Sequence, residues 1–209
     1  MSTDSDAFAI RTPEALRELV GPGLPGLELK NDKQLDEFAI DFLSRVPFLV
    51  LATSDANGNL DASPKGDGPG FVLVEDERTL IIPDRPGNKL VYGHLNILEN
   101  PKVGLIFMIP GTPETLRVNG TAELTADPAV LERLAARGRP AVLAIRVHVT
   151  ECFFHCAKAF IRSKLWKSET WPERHRVSFG EMLVKKAGGD DSTVRAVDES
   201  VEADYRDNL

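Results

Sequence analysis

Cysteine is scarce in this chain, and positive charge is in the minority. Its two cysteines, Cys152 and Cys156, are too few for a disulfide framework. The 25 basic residues are outnumbered by 32 acidic ones, for a formal net charge of −7. A general nucleic-acid binder shows a basic excess or patch, so this balance argues against that class. It leaves room for a local pocket that takes a small anion. No apolar run reaches the ~18 residues of a membrane span. The opening MSTDSDAFAI has neither the basic region nor the apolar core of a signal peptide. These absences predict a cytoplasmic protein without nucleic-acid or membrane partners. Catalytic signatures are missing too: there is no Gly-x-Ser-x-Gly, no His-Glu-x-x-His and no P-loop. With four histidines in all, a Ser-His-Asp triad cannot be argued.

The apolar fraction, 42% of 209 residues, suits one good-sized domain with terminal segments. Residues 1–35 read as a helical lead-in, with Thr12 as cap and Pro13 at the first helical position. A second helix follows, with Leu35, Phe38, Ala39, Phe42 and Leu43 at helical spacing, and Pro47 ends it. Strands dominate next. FLVLATS (48–54) closes on an Asn57-Gly58 turn, and LDASPKG (60–66) alternates. FVLVED (71–76) and TLIIPD (79–84) come after a glycine loop. A helix is expected from Lys89 to Asn100, capped by Asn88. KVGLIFMIPG (102–111), ETLRVNGTAELT (114–125) and residues 140–156 complete the strands, with a short helix capped by Asp127 before the last. Residues 168–209 read as an extension with an acidic tail. No βαβ alternation is present, so a doubly wound sheet is excluded and an antiparallel barrel of roughly six strands is expected.

Four stretches hold residues with chemistry in them. In PDRPGNK, Gly87 permits close backbone approach, and Arg85 and Lys89 place two cations beside an expected helix start. That is a credible phosphate site; the ordinary alternative is a capped helix with two surface cations. In DASPKGDGPG, Ser63 and Lys65 share a strand face, either toward a ligand or as an edge strand with a solvated lysine. In ETLRVNGTAEL, Arg117 and Asn119 point away from Leu116 and Val118, toward a pocket or toward solvent. In ECFFHCAKAFIRSKLW, the spacing of Cys152, His155 and Cys156 fits no common zinc site, so no metal is expected. Lys158, Arg162 and Trp166 in the same stretch place cations and a large aromatic at the end of the last strand, or simply snorkel around a packed ring.

The order of these pieces, SPKGD, then IIPDRPGNK, then NILENPKVGLIFMIPG, then HCAKAFIRSKLW, resembles the pyridoxamine 5′-phosphate oxidase-like family of FMN-binding split barrels. The resemblance spans residues 36–167 and is closest to the uncharacterised flavin-binding branch. RPGNK stands where the true oxidases carry a Ser-Arg-Lys cluster. It implies a mainly β, six-stranded split antiparallel barrel with peripheral helices, forming a homodimer with FMN at the interface. Carried over by position, Ser63, Pro64 and Lys65 would line the flavin, with Pro83, Asp84 and Arg85 leading toward its phosphate. Asn88 and Lys89 would hold the phosphate. Arg117 and Asn119 would lie near the cofactor, and Lys158, Arg162 and Trp166 would approach from the C-terminal segment. The implied function is an FMN-dependent oxidoreductase acting on a small molecule; the alternative is a flavin- or haem-binding protein without turnover.

Overall fold

A computed structural model describes residues 8–208; the polar residues 1–7 and Leu209 lie outside them. The chain divides after Asn31 into two units. The first holds α1 (Pro13–Val20) and a 3-10 turn at Leu27–Lys30. Thr12 caps α1 by accepting from the Ala15 N–H at 3.2 Å, as its sequence predicts. Gly21 ends it at φ 81°.

The second unit, from Asp32 onward, is built on one sheet. Its elements are α2 (Glu37–Leu43), β1 (Phe48–Ser54), β2 (Leu60–Gly66), β3 (Leu73–Asp76), β4 (Thr79–Asp84) and α3 (Tyr92–Glu99). Then come β5 (Lys102–Met108), β6 (Thr115–Thr125), α4 (Pro128–Arg133), β7 (Leu143–His155), α5 (Lys158–Ser163), α6 (Phe179–Ala187) and α7 (Asp191–Asp207). Among the described residues all seven strand stretches read from sequence pair into one sheet, one strand more than the six-stranded barrel expected, in the order β2-β1-β5-β6-β7-β4-β3. Every pairing is antiparallel, as a split barrel requires. β3, shorter than the 71–76 run read from sequence, is a four-residue edge strand whose ladder with β4 shifts register between Val74 and Asp76.

Alternation sets the core. Leu49 and Leu51 of β1, Phe107 of β5, Leu116 and Val118 of β6, and Ile145 and Val147 of β7 turn to one face. Leu35, Ala39 and Leu43, at and on α2, close over them. β4 is buried on both faces, hence its unbroken apolar run: Leu80 and Ile82 join the main core, while Ile81 packs with Val130 and Leu134 around α4. On β7 a bulge at Thr150 faces Asn119 and Gly120 of β6, and the Thr150 hydroxyl donates to the Asn119 carbonyl.

Two elements differ from expectation. The third helix starts at Tyr92 rather than Lys89, because Lys89 (φ 61°) and Val91 (φ 49°) are left-handed and cannot continue a helix. Asn88 therefore caps a turn, accepting from the Leu90 N–H at 3.0 Å, and α3 has no side-chain cap. Within the C-terminal extension, for which no secondary structure is expected from sequence, α6 and α7 form a helical pair. Gly180 lets α7 come so close that an added Cβ would sit 2.7 Å from the Val194 Cα. Asp198 of α7 accepts from the Gly180 N–H and so caps α6 from outside.

Cys152 is buried in β7, where burial, with Asp36 and Asp32 adding to it, pushes its thiol up to about 12. Cys156 is exposed one residue past the strand. Iodoacetamide on the native protein is expected to label Cys156 well before Cys152, a rate difference that peptide mass spectrometry reads directly.

Candidate functional site

The sheet curls. β2 and β4 stand five places apart in the strand order, yet Lys65 Nζ of β2 lies 2.6 Å from Asp84 Oδ1 of β4. Just beyond each strand, Arg85 Nε donates to Asp67 Oδ2 at 2.7 Å. These two ion pairs tie the edge strand β2 to β4, the strand next to the opposite edge. A cavity of about 730 Å3 opens along that seam, lined by β2, the end of β4, the 85–91 loop and the start of α3. That volume is in the range of small-molecule pockets.

β2 is inverted relative to an ordinary edge strand. Its polar residues Asp61, Ser63 and Lys65 are half-buried and face the cavity, while Leu60, Ala62 and Pro64 face outward. The Ser63 hydroxyl donates to Asp61. Gly93 makes this packing possible: a Cβ there would lie 3.2 Å from Asp61 Oδ2 and 3.4 Å from Ser63 Oγ.

Burial would raise the Asp84 carboxyl, but the His94 imidazole and the Lys65 ammonium outweigh it and hold it below its ordinary value. A carboxyl lowered in the folded state stabilises the fold above its unfolded value and loses that contribution as pH falls through its folded value. The thermal midpoint is therefore expected to fall on acidification below about pH 4, and less steeply in Asp84→Asn. Midpoints recorded between about pH 5 and pH 2 check this; identical slopes would remove Asp84 from the account. Asp67 behaves alike: burial opposes it, but the Gly68 N–H, Arg85 and Arg137 keep it low.

The cavity gathers Ser63, Pro64, Lys65, Pro83, Asp84, Arg85, Asn88 and Lys89, all singled out from sequence. Their engagements differ. Arg85 is occupied by Asp67 and donates to the Leu134 carbonyl at 2.8 Å. Lys89 is exposed at the rim. Five other candidates lie away from the cavity lining. Arg117, exposed on the outer face of β6, sits over the Phe153 ring at 5.9 Å, and Asn119 donates to Glu151 at 2.6 Å. Lys158 and Arg162 are exposed on α5, and Trp166 stacks on Phe160 and donates to the Thr112 carbonyl. Asp61 and Asp67 are site residues that sequence reasoning passes over, and it reads His94 only as a haem-ligand candidate inside a helix. His94 lies three residues before the apolar Ile97 on a short helix, and Asp67 sits in a glycine loop that reads as flexible.

Fold and cavity together define an antiparallel β protein with a polar small-molecule pocket along the seam of a curled sheet. Residues 35–156 match the family model for pyridoxamine 5′-phosphate oxidase, and the chain belongs to that family, within the flavin-binding split barrels. No curated protein matches. Among solved structures, HupZ of Group A Streptococcus is 21% identical, with a TM-score of 0.47 over 57% of this chain and 93% of its own. A protein of Lactobacillus delbrueckii described as a pyridoxamine 5′-phosphate oxidase is 27% identical, with a TM-score of 0.45 over 58% and 95%. An FMN-binding protein of Syntrophomonas wolfei is 11% identical, with a TM-score of 0.44 over 56% and 84%. These likenesses are too low to carry any property across. Among the described residues, no helix is long and apolar enough to cross a membrane.

Proposed function

We propose that the cavity binds FMN and that the protein is an FMN-dependent oxidoreductase acting on a small organic molecule. One observation carries the reading: an exposed cation on a glycine-containing loop and a half-buried lysine on a polar strand face converge on a single cavity in the matched domain. Lys89, Asn88 and the loop backbone suit the phosphate. Ser63, Lys65 and Pro83 suit the ring. The residues fit the group on another count: β2 turns its polar Ser63 and Lys65 into the cavity rather than to solvent. Bound flavin supplies the redox chemistry itself, and the chain's part is to hold it and set the charge around it. Lys65 places that charge where electron gain by the ring is favoured. Within the family, the site suits the flavin-binding branch rather than vitamin B6 oxidation.

A homodimer belongs to the same proposal. The outward face of β2 and the exposed Tyr92, Leu95 and Leu98 of α3 present apolar surface beside the cavity, suited to a second copy of the chain. Lys158, Arg162 and Trp166 of one copy would then complete the cavity of the other.

Purified protein is expected to be yellow, with flavin absorption bands, and heating is expected to release FMN identifiable by mass spectrometry. A colourless protein whose thermal midpoint does not respond to added FMN would reject the reading. The alternative, a flavin carrier without turnover, draws support from Ser63 and Lys65 both being held by carboxylates. Rapid reduction by NADH or NADPH with steady turnover of an acceptor would count against it. A haem site is disfavoured, because the His94 Nε2 faces Asp84.

A further inference from the structure

Two basic side chains address one oxygen. Lys65 Nζ is 2.6 Å from Asp84 Oδ1, and His94 Nε2 is 3.4 Å from the same atom. Lysine holds the hydrogen bond, and the imidazole nitrogen is left buried without one. A polar atom in that position costs free energy unless some other arrangement satisfies it. All three side chains are largely shielded, with 17%, 15% and 9% of the Lys65, Asp84 and His94 side chains exposed. A carboxylate so enclosed does not lose its cation without a replacement.

We propose that Asp84 is passed between the two: Lys65 turns from Asp84 to the ligand on binding, and His94 takes Asp84 over by gaining a proton from solvent. The only bond formed is an N–H on the imidazole, and the cluster stays charge-balanced while Lys65 serves the ligand. His94 is thus a positioning residue that acts through Asp84. This rests on the flavin reading and deepens it, since it supplies the means by which a paired lysine is freed.

The other charged side chains on the strands packed against α3 do not perform this role. Asp61 of β2 lies near Gly93 and already accepts from Ser63. α3 also packs on β1 and β6. From β1 the neighbour is the neutral Thr53, bonded to Asn96. On β6, Arg117 rests on Phe153 and Glu123 pairs with Arg146.

Titration calorimetry of FMN into the FMN-free full chain tests this, at about pH 7.5 in buffers of different ionisation enthalpy. There the phosphate monoester is already doubly ionised, its second pKa being ~6, so the ligand itself takes up no proton. The wild type is expected to take up between roughly half and one proton per FMN bound, seen as a binding heat that rises with buffer ionisation enthalpy. His94→Gln keeps a donor but not the charge, and is expected to bind FMN with the uptake gone. Lys65→Met leaves Asp84 to His94 from the start, so it too is expected to bind, more weakly, without uptake. FMN binding to the wild type with no proton uptake overturns the exchange while leaving the flavin reading intact. Unchanged uptake in either variant overturns it as well. No binding of FMN to the wild type overturns the flavin reading and the exchange with it.

Discussion

Gly120→Ala is expected to be among the most damaging single-methyl additions in the protein, costing about 3 kcal/mol and lowering the thermal midpoint by roughly 6–12 °C. Gly120 is buried in β6 opposite the bulge of β7. A Cβ there would lie 3.0 Å from the carbonyl carbon of His148, closer still to its oxygen, and 3.2 Å from a Val147 methyl. Two of these three obstacles are backbone, so no change of rotamer relieves them. The strand itself must move, and it is the central strand of three in the ladder that joins β5 to β7. Gly104→Ala is the control. It sits on β5 facing Asn119, one pair away, where an added Cβ meets only ordinary contacts at 3.4 and 4.0 Å. Thermal or urea denaturation of both variants compares them. Equal losses would mean that the close approach at the bulge carries no weight.

Lys89→Ala is expected to weaken FMN binding by about 10- to 100-fold while leaving riboflavin binding within about 2-fold, the effect of removing one charge-assisted bond to phosphate. Lys89 is exposed at the cavity rim in a left-handed turn that lifts it out of the helix. Arg85→Ala is expected to behave differently, although both residues occupy the same loop. Its guanidinium already serves Asp67 and the Leu134 carbonyl, so its loss lowers stability first and affinity second. Fluorescence titration with FMN and riboflavin, beside the thermal midpoint of each variant, separates the two roles. A comparable loss of riboflavin binding in Lys89→Ala would place that lysine away from the phosphate.

Much of the sheet could be read from the chain because its strands alternate or run apolar for plain reasons. β6 shows Leu116 and Val118 inward with Arg117 and Asn119 outward. β4 is apolar throughout because a helix covers its second face. The helix start at Tyr92 could not be read, since Asn88 and Lys89 are good helix-entry residues and only the tertiary setting turns Lys89 and Val91 left-handed. Nor could the α6–α7 pair, whose crossing depends on Gly180, a residue that argues against helix in isolation. In the site, the polar face of β2 was legible as a face, but not as the inner one. That assignment depends on Asp84 and Arg85 arriving from the far end of the sheet, a contact with no trace in local sequence.

The curled sheet has a seam, and the cavity lies along it. Whatever occupies that cavity touches β2 on one bank and the end of β4 on the other. Occupancy and closure are then one equilibrium, so a tight ligand adds its binding free energy to the stability of the sheet's edges. Amide exchange would carry the record. The slowing produced by FMN would be concentrated in β2 and in residues 84–91, and the β5–β6–β7 ladder would keep the same rate with or without it.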